Sequence, residues 1–508
     1  MNEAFQEERF YFCHLTVACV APNSARKKSY ITCSTLLIQA GVRTLHARPV
    51  KIAIVSEHAS PLALLGGTDS GGQNVYVANV ARQLARHGHK VDVFTRRESA
   101  EQPARAALCP GVRVINVAAG PPAVMPKEAL LPYMGEFAAN LIDYYRTEKR
   151  AGEGYSVTHA NFFMSGLAGL EAKRALGVPL VVTFHALGKV RRLHQGADDG
   201  FPLERIQIEE TLVAECDGIV AECPQDKDDL LHLYDGDVRK LAVVPCGFDG
   251  REFFPVPRLA ARAQLGLPRE GFAILQLGRM VPRKGVDNVI RAVAELRDAY
   301  DDDATLYVVG GNSDAPDDAA TPEIGRLRKI AHELNVADCV HFLGRRDRDV
   351  LRLFYSACDV FVTTPWYEPF GITPLEAMAC ARPVIGSDVG GIRSTVVHNK
   401  TGVLVPPRDP GALALHLHEF IGDDKRRQAL GDAGFARAQR FYTWAGVVRG
   451  LETVYLDAVH TAAATAQAAA ARVTVQRQSV RPRPVAPVMR PPQKNAPGRA
   501  IQRTSHER

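Results

Sequence analysis

The sequence predicts an α/β protein made of two doubly wound, Rossmann-like domains that face a central cleft. Three observations predict it. Short β-branched runs alternate with amphipathic stretches at helical spacing along most of the chain. The alternation is interrupted once, between 245 and 268, by Pro245, Gly247, Gly250, Pro255, Pro257 and Pro268. At 508 residues the chain is long enough for two large domains with tails. The expected bounds are a poorly ordered extension over 1–49, a first domain over 50–255 and a second over 256–443. A helix over 444–460 is expected to pack back on the first domain, and 461–508 to form a disordered basic tail.

Taken in order, 1–49 shows no period. Its apolar stretch 11–21 follows the acidic Glu3, Glu7 and Glu8, the reverse of the basic start a secretory signal needs. The fold is expected to begin at Lys51. Residues 52–55 read as a buried strand, 66–72 as a Gly-rich loop, and 73–86 as a helix with Val77, Val80, Ala81 and Leu84 on one face. Strands follow at 91–94, 112–117, 157–159, 180–184, 218–221 and 241–244. Helices over 128–145, 167–175, 203–215 and 225–234 lie among them. Beyond the linker, strands are expected at 272–277, 306–309, 340–343, 360–362, 384–387 and 402–405. A loop over 278–284 and a helix over 286–296 follow the first of these, with helices between the later strands. Helices over 411–421, 425–441 and 444–459 close the series.

Charge is unevenly placed. The net +6 includes nine Arg/Lys against one acidic residue in 461–508 and six against three in 1–49, which leaves the middle at −5. A basic pI that belongs to the tails argues against a nucleic-acid-binding core. No apolar run approaches the eighteen residues of a membrane span. The ten cysteines form no C-x-x-C pair and no metal-ligand spacing, which fits a reducing cytosol. Asp235-Gly-Asp237, Asp301–Asp303 and Asp347-Arg-Asp349 spell D-x-D in loop or helix-start settings, away from the expected cleft.

In open parallel sheets, ligands bind beyond the carboxyl ends of the strands. His159, His185, Arg279, Lys284 and Glu368 fall at such ends, and the Gly66–Gly72 loop lies just beyond the first strand. In Trp366–Glu376, prolines break the strand, Gly371 allows close approach, and Thr373-Pro374 starts a helix. The amides of Phe370, Gly371 and Ile372 then sit at a helix N-terminus, which suits phosphate. Glu368 and Glu376 repel phosphate but accept bonds from hydroxyls, so the implied ligand carries both phosphate and sugar. Arg279 and Lys284 add a fork and a point charge for a diphosphate. Lys127, Lys189, Arg191, Arg192 and Arg205 form a basic set near His185 that would suit an anionic second substrate or a solvated face.

Four stretches in order carry a family resemblance: Gly66–Gly72 with Gln73-Asn-Val-Tyr-Val77; Phe184-His185-Ala-Leu-Gly188; Gly278-Arg279 through Arg283-Lys284-Gly285; and Glu368-x7-Glu376. Together they resemble the retaining glycosyltransferases of family 4, with the GT-B fold, over about 51–459. The likeness is to the branch holding sucrose-phosphate synthase and the inositol-phosphate glycosyltransferases. It implies that Glu368 meets donor-sugar hydroxyls and Glu376 the ribose, with Phe370, Gly371, Ile372 and Thr373 close to sugar and phosphates. Arg279 and Lys284 would bind the diphosphate, His185 the sugar near its 6-hydroxyl, and the loop of Gly67 and Gly71 would lie near the phosphates. It implies that Lys127 and Arg205 hold the acceptor's phosphate, and His159, at its strand end, and Lys189, from the basic set, are expected to bind the acceptor with them. One departure stands out. The branch reads His-x-His-Tyr where this chain has His159-Ala160-Asn161-Phe162, so an imidazole and a phenol toward the acceptor are gone.

The resemblance implies a cytoplasmic hexosyltransferase that moves glucose from UDP-glucose to a small phosphorylated acceptor, with retention. His185, Arg279, Lys284 and Glu368 would be its catalytic residues. No cofactor or metal is expected, because Arg279 and Lys284 can neutralise the leaving diphosphate. Three alternatives stay open on the residues: a transferase for lipid or polysaccharide with its basic tail on a membrane, a nucleotide-sugar epimerase, and a non-enzymatic protein binding nucleotide sugar or nucleic acid.

Overall fold

The computed structural model describes residues 49–63, 71–196 and 199–479. The extension over 1–48, Gly67 and the tail beyond 479 lie outside the described residues. The first domain opens with β1 (Lys51–Val55), α1 (Gly72–Arg86), β2 (Lys90–Arg96), β3 (Arg105–Cys109) and β4 (Val112–Val117). It continues with α2 (Met134–Arg150), β5 (Val157–Asn161), α3 (Phe163–Leu176), β6 (Leu180–Thr183), α4 (Gly188–Gln195), α5 (Glu204–Glu215), β7 (Gly218–Ala221), α6 (Pro224–Tyr234) and β8 (Leu241–Val243).

The second domain runs α7 (Arg258–Leu265), β9 (Phe272–Leu277), α8 (Val286–Tyr300), β10 (Ala304–Val309), α9 (Pro322–Glu333), β11 (Val340–Gly344), α10 (Arg348–Ala357) and β12 (Val360–Thr363). Then come α11 (Ile372–Ala379), β13 (Val384–Ser387), α12 (Gly390–Thr395), β14 (Val403–Val405), α13 (Pro410–Gly422), α14 (Asp424–Phe441) and α15 (Trp444–Ser479).

The first sheet has the order β3-β4-β2-β1-β5-β6-β7-β8 and is parallel except where β3 pairs antiparallel with β4. The second, β11-β10-β9-β12-β13-β14, is parallel throughout. In each sheet the chain winds outward on one side and then returns to the middle. The order therefore reverses between β1 and β5, and again between β9 and β12. Those reversal points leave crevices at the carboxyl edge, and both face the space between the domains. Strands buried on both faces explain the unbroken apolar runs that marked them in the sequence.

Several elements differ from the sequence expectation, each for a local reason. Edge strand β3 is Ala-rich with little intrinsic strand preference, and pairing with β4 makes it a strand. The helix expected from 128 starts at Met134, because Pro132 breaks the lead-in into two 3-10 turns. The linker contains α7, whose Arg262 is buried and donates to the carbonyls of Ala357, Arg269 and Gly271 and to Asp359. Helix α4, shortly after His185, is an element the sequence expectation did not include. Helix α15 packs on α1 and on β5 to β7, and it runs on to Ser479 instead of ending near 460. Its Trp444, Val448, Leu451 and Tyr455 belong to a core that joins both domains through Phe248 and Phe370. Among the described residues no helix is long and apolar enough to cross a membrane.

Candidate active site

A cleft of about 810 Å³ lies between the two carboxyl edges. On the second-domain side the chain leaves β9 at Leu277 and turns through Gly278, Arg279 and the 3-10 turn Pro282–Lys284. Across the reversal point β12 feeds the loop Trp366–Gly371 and then α11. The two loops are tied together by charge. Lys284 Nζ donates to Glu368 Oε2, and Arg283 Nη1 lies 3.7 Å from the same oxygen. Burial pulls the Lys284 ammonium down to about 8, even with the carboxylate beside it. Burial alone would raise Glu368, but Lys284, Arg283 and Arg279 outweigh it and hold the carboxyl below its usual range. Both members are therefore charged at neutral pH.

Glu376 is held differently. It is 2% exposed, accepts from Arg348 Nη1 at 2.9 Å and from Tyr355 Oη at 2.9 Å, and burial pushes its carboxyl upward against those partners. Arg348 also donates to Glu252 at 2.6 Å. The two glutamates thus differ in kind: one belongs to an ion pair that a ligand can open, the other to a fixed cluster. Helix α11 starts at Ile372 with Gly371 at φ 88°, a conformation costly for any residue with a Cβ. The glycine pair at the head of α12 makes room for this loop. A Cβ on Gly391 would stand 2.3 Å from the backbone of Phe370. From the opposite wall, Gly71 at the start of α1 faces the Arg279 side chain, and Gly72 faces Ile372. Gly71, Arg279, Lys284, Glu368, Phe370, Gly371, Ile372, Thr373 and Glu376 all line the one cleft.

The first-domain wall divides the expected acceptor residues. Lys127 lines the cleft, with Glu128 3.0 Å away, and His185 lines it at the end of β6. His159 does not. It is wholly buried, with Nδ1 2.7 Å from Tyr455 Oη and Nε2 2.8 Å from Thr183 Oγ1, and burial depresses its imidazole to about 3. It is a neutral strut between β5, β6 and α15. Lys189 turns away to Glu210 and lies over the Tyr234 ring. Arg205 is 1% exposed, pairs with buried Glu209 at 2.7 Å, and sits among the rings of Phe162, Phe163 and Phe201. These three lie outside the cleft lining: partners on β6, α15 and α5 fix His159 and Arg205 in the domain interior, and Glu210 and Tyr234 hold the part-exposed Lys189 away from the cleft.

The structure adds residues that carry no local mark in the sequence. His58 lines the cleft with Nδ1 2.6 Å from Glu57 Oε1; Arg191, by contrast, belongs to the basic set expected near His185 and lines the cleft paired to Asp199 at 2.7 Å. Glu222 follows β7 and meets His185. Tyr367 reaches across from the second domain: His194 stacks on its ring at 5.0 Å, and Gln195 donates to its hydroxyl at 2.6 Å. Arg348 and Glu376 are 28 residues apart, so no short motif would have joined them. Among the described residues no group of three or more His, Cys, Asp or Glu comes together as a metal site.

Comparison with known proteins gives matches over both domains. A model described as Glycosyltransferase Family 4 matches residues 70–251, and one described as Glycosyl transferases group 1 matches 257–437. The chain is 37% identical over 423 residues to a protein named D-inositol 3-phosphate glycosyltransferase from Salinispora arenicola (strain CNS-205), covering 81% of this chain and 93% of that one. A protein of the same name from Thermobifida fusca (strain YX) is 35% identical, with 82% and 96% covered. Among solved structures, a sucrose-phosphate synthase from Thermosynechococcus elongatus superposes with a TM-score of 0.73 at 32% identity, covering 80% of this chain and 98% of that chain.

Proposed function

The chain belongs to glycosyltransferase family 4 and has the GT-B fold; from that premise we propose that it moves a hexose, with retention, from a nucleotide sugar to a small phosphorylated acceptor. UDP-glucose is the first donor to test. The carrying observation is the Lys284–Glu368 pair at the reversal point of the second sheet, beside Arg279, Arg283 and the start of α11. A donor diphosphate offers Lys284 a stronger partner than one carboxylate. As Lys284 moves to the phosphates, Glu368 is released to accept bonds from sugar hydroxyls. The site thus opens its own ion pair on the ligand that can satisfy both halves.

In the transfer, the bond from the anomeric carbon to the β-phosphate oxygen breaks. The bond to the acceptor oxygen forms on the same face, and the acceptor proton passes to the departing phosphate. No side chain is needed as a strong base in this scheme. Arg279, Lys284 and the amides of Phe370–Ile372 hold the developing charge, and such preorganised donors commonly supply the largest catalytic term. The reading needs no metal ion. Seven unpaired cysteines among the described residues support placing the protein in the cytoplasm.

A phosphorylated acceptor is supported by the relatives' names and by Lys127 in the cleft. A second reading, an uncharged polyol acceptor, is favoured by one observation. Arg205 already has Glu209 as its counter-charge and stands behind Phe162 and Phe201, which face the cleft. Thermal-shift screening against UDP-, GDP- and ADP-sugars identifies the donor, because the melting point rises with occupancy of the native state. Turnover with inositol phosphate and fructose 6-phosphate, each beside its dephosphorylated form, then separates the two acceptors. Failure of every nucleotide sugar to raise the melting point overturns the transferase reading.

A further inference from the structure

His185 lines the cleft with φ at 57°, in the left-handed region that a β-substituted residue enters only when its surroundings hold it there. What holds it is its own side chain. Nδ1 lies 3.0 Å from Glu222 Oε1, and Nε2 lies 3.0 Å from Asn161 Oδ1. The Tyr76 ring meets the imidazole edge-on at 4.9 Å. The amide nitrogen of Asn161 is already directed at the carbonyls of Val55 and His159, at 3.4 and 3.3 Å, which turns its oxygen toward His185. Glu222 is buried, and its Oε1 also accepts from Cys246 Sγ at 3.0 Å. Each ring nitrogen thus has a protein partner, and the imidazole cannot rotate without breaking both contacts.

We propose that Glu222 is the positioning residue of the donor-sugar subsite. With Asn161 it clamps the His185 imidazole through both ring nitrogens and fixes the strained turn that faces the sugar. The sequence left Asn161 as a gap where the resembling branch has a second histidine. In this chain its amide oxygen completes the clamp. Burial would raise Glu222, yet His185 and Cys246 hold its carboxyl below the usual range, so it meets the imidazole as a carboxylate. The other titratable groups at this corner are the Tyr76 phenol, the His159 imidazole, the Cys246 thiol and, from the second domain, Glu368. Because both ring nitrogens are committed to protein atoms, His185 selects the sugar through its placement. A hexose is then told from a pentose by how firmly residue 185 is held against the C6 position.

The catalytic part of this inference rests on the proposed hexosyl transfer; the clamp itself does not, and the test separates them. In the full-length protein, the ¹⁵N chemical shifts of the His185 ring should move in the near-isosteric Glu222→Gln variant, and the Nε2 shift should move in Asn161→Leu while Glu222 stays in place. Loss of an orienting partner costs about 10- to 100-fold at metal-bound imidazoles. A kcat loss of that order is expected for Glu222→Gln with UDP-glucose, with KM little changed and weaker discrimination against UDP-xylose, which lacks C6. A merely structural role would lower the melting point without moving that ratio. His185 ring shifts unmoved by Glu222→Gln, or a Glu222→Gln enzyme with unchanged kcat and unchanged discrimination, overturns the proposal. Should wild-type protein use neither sugar while the ring shifts respond to Glu222→Gln, the transfer reading fails and the clamp stands.

Discussion

Replacing Lys284 by Ala tests the core of the site. In the free protein Lys284 and Glu368 neutralise each other, and in the proposed transfer the ammonium passes to the donor diphosphate. The substitution removes one preorganised donor from the leaving group, and comparable deletions cost about a hundredfold or more in kcat, equivalent to about 2.7 kcal/mol of transition-state stabilisation. The fold should survive, because Glu368 keeps Arg283 3.7 Å away as a counter-charge. Initial rates with UDP-glucose over a range of acceptor concentrations give kcat, and the ligand-free melting point tells lost chemistry from lost structure. The pH dependence adds an independent check. Burial places the Lys284 ammonium near 8, so above that pH the free protein loses the charge that binds phosphate. Donor kcat/KM, which reports the free enzyme, should hold level below about pH 8 and then fall about tenfold per unit. At saturating donor the diphosphate favours the ammonium, so kcat holds to higher pH. Lys284→Arg keeps its charge and should lose the alkaline fall. A Lys284→Ala enzyme within about threefold of wild type in kcat, with the same alkaline limb, would refute the reasoning.

Other outcomes follow from the same geometry. Arg348→Met leaves Glu376 buried with Tyr355 as its remaining hydrogen-bond partner, and breaking such a pair costs about 3–5 kcal/mol, read as a lower denaturant midpoint. His159→Leu should destabilise by about 1–3 kcal/mol through the unpaired hydroxyls of Tyr455 and Thr183, with acceptor KM unchanged. A raised acceptor KM in a stable His159→Leu protein would return that residue to the binding site. Exhaustive treatment with a chelator should leave turnover intact, and restoration of lost activity by added Mg²⁺ or Mn²⁺ would show that a metal takes part.

Much of this protein was legible in the chain because much of it is locally encoded. The two α/β series show in the sequence because strand and helix periodicity is written within a few residues, and because buried parallel strands must be apolar on both faces. Arg279, Lys284, Glu368 and the start of α11 could be gathered because each follows a strand, and strand ends in such sheets point to one edge. The misreadings came where a residue's surroundings are set by distant chain. Arg262 turns a proline-rich linker into a helix by binding carbonyls from two other segments.

His159 ends a strand just as His185 does, yet one is a buried strut and the other lines the cleft. The difference lies in Tyr455, 296 residues away on α15, which meets the first ring, and in Glu222, 37 residues away after β7, which meets the second. Sequence alone determined the fold class and the family, since those rest on local pattern and residue type. Tertiary structure alone decided which cations are free to meet a substrate and which are spent on a neighbour. An ion pair is a property of two positions in space, and packing brings Lys284 to Glu368, Arg205 to Glu209 and Arg348 to Glu376.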